Sequence, residues 1–179
     1  GALSEGLSDF MAATITGDSD MSPGFFTGGA DPLREIASDK SWPDDITEDP
    51  HYTGLIIAGA LWDLRSLLID ELGSEAGLEQ ANHIFGQIAA RASDIPSSYE
   101  EALLADDDNG NLADGTPNQC IIDDAFGRHG LGPGGGVALF FVDFDPLDEE
   151  LEAGTELPID LSSALSNPQC ADGEVDGRE

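Results

Sequence analysis

The apolar run over residues 51–72 constrains this chain more than any other stretch. Leu55, Ile56, Gly59, Leu61, Trp62, Leu64, Leu67, Leu68 and Leu72 recur at helical spacing, and Gly73 closes the run. Its first half is apolar nearly all round, so the helix must be buried and other helices must pack about it. A chain organised on such a helix is expected to be mainly α.

The flanking patterns supply the partners. Leu3, Leu7, Phe10, Met11 and Ile15 predict an amphipathic first helix ending near Gly17. Residues 17–50 are rich in Gly, Asp, Ser and Pro and read as a long loop, functional or braced by a metal. A second long helix is predicted over 75–92, with Leu78, Ala81, Ile84, Phe85, Ile88 and Ala89 on one face, and a short one over 99–105. Thr116-Pro117 predicts another start, because Thr caps well and Pro fits the first turn; this helix carries Cys120, Ile121, Ala125 and Phe126 and stops at Gly130. The glycines from Gly132 to Gly136 break the chain, residues 137–144 read as one strand, and the remainder reads as an acidic extended arm. The expected organisation is a helical unit over 1–131, followed over 132–179 by a Gly-rich linker, one strand and a tail.

Charge narrows the partners. Acidic residues number 37 against 6 basic ones, for a net charge of −31 over 179 residues, and Lys40 is the only lysine. Nucleic acid and anionic membrane, both polyanions, are disfavoured. Hydrophobic content of 40% still permits a core, and the length suits one domain. Abundant Asp with almost no Lys resembles proteins of salt-loving organisms; an acidic secreted protein with calcium sites explains it equally. No stretch reads as a membrane span of ~20 apolar residues. The chain opens inside a helical pattern without a signal peptide, so a processed or truncated product is expected. Cys120 and Cys170 are either two thiols or a disulfide closing a loop of about fifty residues, worth ~4 kcal/mol.

Asp106, Asp108, Asn109, Asn111 and Asp114 crowd oxygen donors around Gly110, a composition that suits Ca²⁺. The glycine is out of EF-hand register, and a solvated acidic loop is the alternative. Gly17-Asp18-Ser19-Asp20 is a weaker stretch of the same kind.

Glu5 and Asp9 stand one helical turn apart, on one face. A carboxylate that ligates a metal, with another that steadies a second ligand, fits that spacing. Glu5-Gly6-Leu7-Ser8-Asp9 resembles the glutamate helix of thermolysin-like and fungalysin-like zinc peptidases, whose pattern is Glu-x-x-Ser-Asp. The resemblance implies that Glu5 is the third zinc ligand and that Asp9 holds a zinc-bound His. Ser4 departs from the Asn common before that Glu. Leu33-Arg34-Glu35 is similar to the family's Leu-Arg segment, which implies that Arg34 binds a substrate carbonyl. His51-Tyr52-Thr53-Gly54-Leu55-Ile56 resembles its His-x-x-Gly-x-Ile element, which implies that His51 donates to the developing oxyanion. The stretch from Asn118 to Leu131, with its Ala-Phe and Gly-Leu, resembles a packing helix near the end of the fungalysin-type catalytic domain. His83 and His129 read as structural.

No His-Glu-x-x-His occurs in the sequence. The resemblance therefore implies the helical C-terminal lobe of a gluzincin-type peptidase with a short β or extended appendage. Such a lobe belongs to a secreted, extracellular enzyme, uses zinc only with the N-terminal lobe that carries the missing ligands, and meets peptide substrate there. The rival expectation is a non-catalytic subunit of an extracellular assembly that self-associates through its C-terminal arm. A calcium-stabilised binding domain is a third.

Overall fold

A computed structural model of the chain describes residues 1–133. The expected strand at 137–144, Cys170, on which the choice between two thiols and a bond to Cys120 turns, and nearly all of the 132–179 tail lie outside the described residues. Among those described, five α-helices dominate: α1 (Ala2–Thr16), α2 (Pro50–Leu72), α3 (Ser74–Arg91), α4 (Ser98–Asp106) and α5 (Gln119–Arg128). A two-stranded antiparallel ribbon, β1 (Asp20–Met21) and β2 (Arg34–Glu35), pairs Asp20 with Glu35 and Met21 with Arg34.

The helix ends follow from local chemistry. Gly17 adopts φ 72° and returns its N–H to Ala13, a left-handed stop that suits glycine. Asp49 caps α2 by accepting from the His51 N–H at 2.9 Å, and Pro50 takes the first turn, where no N–H is needed. Gly73 then separates α2 from α3 without an intervening loop.

Helix α2 is the hub, packed by α1, α3 and α5. The stretch from Thr53 to Leu61 is buried without interruption, and Leu64 and Leu68 continue the buried stripe. By length and hydropathy α2 could cross a bilayer, contrary to the expectation that no stretch is so long and apolar. In this fold 61% of its most apolar window is buried, as befits a core helix. Truncating Ile56, Leu61 or Leu68 to Ala should cost ~2–5 kcal/mol each, since all three are fully buried and their neighbours relax only in part into the space left.

Three expectations are corrected. On α1, Phe10 and Ala13 are buried with Gly6 and Asp9, whereas Met11 and Ile15 are 52% and 75% exposed. On α5, expected to carry Cys120, Ile121, Ala125 and Phe126, the buried residues are Ile122, Ala125 and Phe126. Thr116 does not cap that helix. Its hydroxyl donates to Asp106, and α5 starts later, at Gln119.

Candidate functional site at two helix starts

Helices α1 and α2 begin beside one another: a Cβ on Gly1 would lie 3.6 Å from Pro50 Cβ. Glu5 falls in the first turn of α1, where a negative charge meets the positive end of the helix. His51 stands at the start of α2. Its Nδ1 is buried and lies 3.1 Å from Glu5 Oε2, without the alignment of a hydrogen bond. The two side chains remain 45% and 38% exposed, so the pair faces solvent.

One turn along α1, Asp9 points inward and meets Arg34 from β2. Nε donates to Oδ2 at 2.6 Å and Nη2 donates to Oδ1 at 2.8 Å. The planar fork matches the carboxylate, so both groups are fixed at once. The hydrogen bond to Asp9 raises the Arg34 pKa above its ordinary value; burial opposes this, and the negative charges of Asp9, Glu5 and Asp49 add to it. The charge of Glu5 thus reaches Arg34 through space, so the two pairs are electrostatic neighbours. The ribbon exists here to deliver Arg34 to α1, a reach across the long loop that local sequence does not encode.

Zinc fits this site only in part. Glu5 offers one solvent-reachable oxygen donor. Among the described residues, no group of three or more His, Cys, Asp and Glu is placed to hold a metal. Zinc takes four ligands as a rule, so Glu5 could serve only with donors from other polypeptide. Asp9 has accepted two N–H groups of the roughly four a carboxylate can take, and an imidazole from other polypeptide would have to reach a side chain that is 6% exposed.

The acidic loop is built differently from the expectation. Asp106 is 4% exposed and accepts from Gln80 Nε2 and Thr116 Oγ1 at 2.7 Å, and from Asn118 N and Nδ2 at 2.6 Å. It pins both ends of the loop to α3 rather than facing a cation. Asn109 accepts from the Asn111 N–H and donates to Asp114, and Asn111 accepts from the Ala113 N–H. A calcium ion at this loop would draw on Asp108, Asn109, Asn111 and Asp114.

The other histidines are structural. His129 is 2% exposed, donates from Nδ1 to the Lys40 carbonyl at 2.7 Å, and sets Nε2 3.5 Å from Asp63. It anchors the long loop to α5 rather than serving the helix dipole. His83 Nε2 bonds the Ala105 carbonyl at 3.1 Å.

Sequence reasoning passed over Gly6, which is buried where α1 crosses α2. A glycine inside a helical pattern, unfavourable there by ~1 kcal/mol against Ala, was the available signal. Comparison with protein families, with characterised proteins and with solved structures finds no match to this chain.

Proposed function

We propose that residues 1–131 are the C-terminal lobe of a zinc metalloendopeptidase of the thermolysin and fungalysin kind, secreted and inactive by itself. One observation carries the reading. Glu5, Asp9, Arg34 and His51 come from two helices and a strand, yet form two contacting pairs one helical turn apart along α1. Glu5 would be the zinc ligand. Bound zinc would polarise the scissile carbonyl and make a water acidic enough to attack at neutral pH.

The remaining roles belong to this chain's own groups. Arg34 uses Nε and one Nη2 hydrogen on Asp9, which leaves donors on the same rigid fork for a substrate carbonyl. Asp9 holds Arg34 in place and keeps capacity to orient an imidazole from the other lobe. His51 presents a half-exposed ring beside Glu5, where a donor could meet negative charge as it develops on the substrate. Fixing such a donor in advance is worth ~3–4 kcal/mol of barrier.

The coding region preceding Gly1 tests the reading. A His-Glu-x-x-His there, with chelator-sensitive casein hydrolysis by the longer product and loss of zinc in Glu5→Ala, is expected. Chelator-sensitive turnover by the present chain alone would overturn it. The rival, a non-catalytic subunit of an extracellular assembly, draws on the exposure of Met11, Ile15, Phe25 and Phe26 (52%, 75%, 62% and 53%), apolar surface that association would cover. Absence of the motif upstream favours that rival.

A further inference from the structure

The geometry points to Gly6 and Gly54 as positioning residues: their backbone contact sets the distance between Glu5 and His51. The inference rests on the peptidase reading for its catalytic meaning, but the spacing it describes does not.

At the crossing of α1 and α2 the main chains of Gly6 and Gly54 face each other directly, with the Ile57 side chain packed beside them. A Cβ on Gly54 would lie 2.8 Å from the Gly6 nitrogen and 2.9 Å from the Ala2 carbonyl oxygen. A Cβ on Gly6 would overlap the Gly54 carbonyl oxygen and come within 2.5 Å of Ile57 Cγ2. These are mostly main-chain atoms of helices, which cannot rotate aside as a side-chain tip can. Carbon needs ~3.5 Å from such neighbours, so one methyl group at either position drives the helices apart by roughly 1 Å.

The lever is short. Glu5 immediately precedes Gly6, and His51 lies about one turn before Gly54. Separation at the crossing therefore parts the backbones that carry Glu5 and His51 by a similar amount, and so widens the pair now 3.1 Å apart between His51 Nδ1 and Glu5 Oε2. Each glycine weakens its own helix, and Gly54 does so in the core. A crossing chosen for stability alone could use alanine with a wider spacing. In the proposed enzyme a displacement of this size would cost about 100-fold in rate.

An engineered histidine pair reads the spacing without any peptidase chemistry. Glu5→His, facing His51, creates two imidazoles for Ni²⁺, measured by calorimetry in 1 M NaCl against the native chain. The pair is expected to bind Ni²⁺ at least tenfold more tightly than the native chain. Adding Gly54→Ala should return the affinity to the native level. Gly6→Ala reads the same crossing from the other helix should the first variant fail to fold. Gly59→Ala is the control: its Cβ would crowd His129 and Ser38, away from α1, so it strains α2 without parting the helices. Tight binding retained in a folded Gly54→Ala or Gly6→Ala variant overturns the inference. So does equal loss in Gly59→Ala, or a pair that binds no better than the native chain. Failure of zinc binding in the longer product would instead strike the peptidase reading and leave the spacing result standing.

Discussion

Arg34 grips Asp9 through two hydrogen bonds, 2.6 Å from Nε and 2.8 Å from Nη2, with side-chain exposures of 15% and 6%. The bond joins β2 to the middle of α1 and so closes the long loop onto the helix that bears Glu5. Most of that loop is exposed, and Ile36 is its fully buried apolar side chain. The ion pair, together with the burial of Ile36 beside it, fixes where the loop returns to α1.

Asp9→Ala should cost ~3 kcal/mol, because it strands a guanidinium in a place largely closed to water. The paired change Asp9→Leu with Arg34→Met should cost less than the two single changes together. Urea denaturation of all four proteins gives the coupling. Additive single losses would mean that the fork contributes no interaction of its own.

Tyr99 is 4% exposed, and its hydroxyl donates to Asp123 at 2.6 Å. Burial, then the bond to Asp123 and its charge, push the phenol pKa well above its ordinary value near 10. The folded state thus keeps a proton that the unfolded state releases. Stability from this group is complete below pH ~10 and is lost as pH rises beyond it. Tyr99→Phe should cost ~1–2 kcal/mol at pH 7 and flatten the loss of stability above pH 10. Melting curves between pH 7 and 11 check both parts, and an unchanged alkaline slope would reject the assignment.

Sequence and structure agree where the determinants are local. The apolar run over 51–72, closed by Gly73, identifies α2 because its periodicity and its stop are both local; the Asp49 cap and Pro50 in the first turn, which the structure adds, are local too. Met11 and Ile15 were misread because periodicity reports which residues share a face, not whether another element covers it. Thr116-Pro117 has the local chemistry of a helix start. The hydroxyl instead meets Asp106, whose burial depends on Gln80 from α3. At the candidate site the residues were named through resemblance, since no spacing rule predicts that β2 reaches α1 or that α1 and α2 begin side by side. Gly6 carries a signal in the sequence only as an unfavourable residue for its helix, and its reason is Gly54, which faces it across the crossing.

Asp106→Ala should be among the most destabilising single changes outside the apolar core. It leaves four hydrogen-bond donors from Gln80, Thr116 and Asn118 without their acceptor. Hydrogen bonds to a charged group contribute ~1.5–3 kcal/mol each, and water can re-enter to replace some of them, so a net loss of ~3–5 kcal/mol is expected. Asp106→Asn keeps the shape but loses the charge and turns one acceptor into a donor facing other donors, so it should fall between. Chemical denaturation gives both values. A loss below ~1 kcal/mol for the alanine variant would mean the carboxylate is dispensable to the loop.

Salt and calcium should act on this protein by separable routes. A net charge of −31, with one lysine in the whole chain, makes compaction costly at low ionic strength. Raising NaCl to 1 M shortens the screening length to ~3 Å, so the melting temperature should climb continuously with salt without reaching a sharp plateau. A cation held by Asp108, Asn109, Asn111 and Asp114 would add a saturable gain that grows as RT ln(1 + [L]/Kd) at millimolar Ca²⁺ or below. Asp106 belongs to a different class, since it is buried with four hydrogen bonds on its carboxylate, whereas the bonds among Asn109, Asn111 and Asp114 are exposed to solvent. Asp108→Asn with Asp114→Asn should therefore abolish a calcium-specific gain while preserving the response to NaCl. Melting curves in NaCl and CaCl₂ at matched ionic strength decide the matter. Equal gains in the two salts would reject a specific calcium site, and no gain in either would reject charge repulsion as the limit on stability.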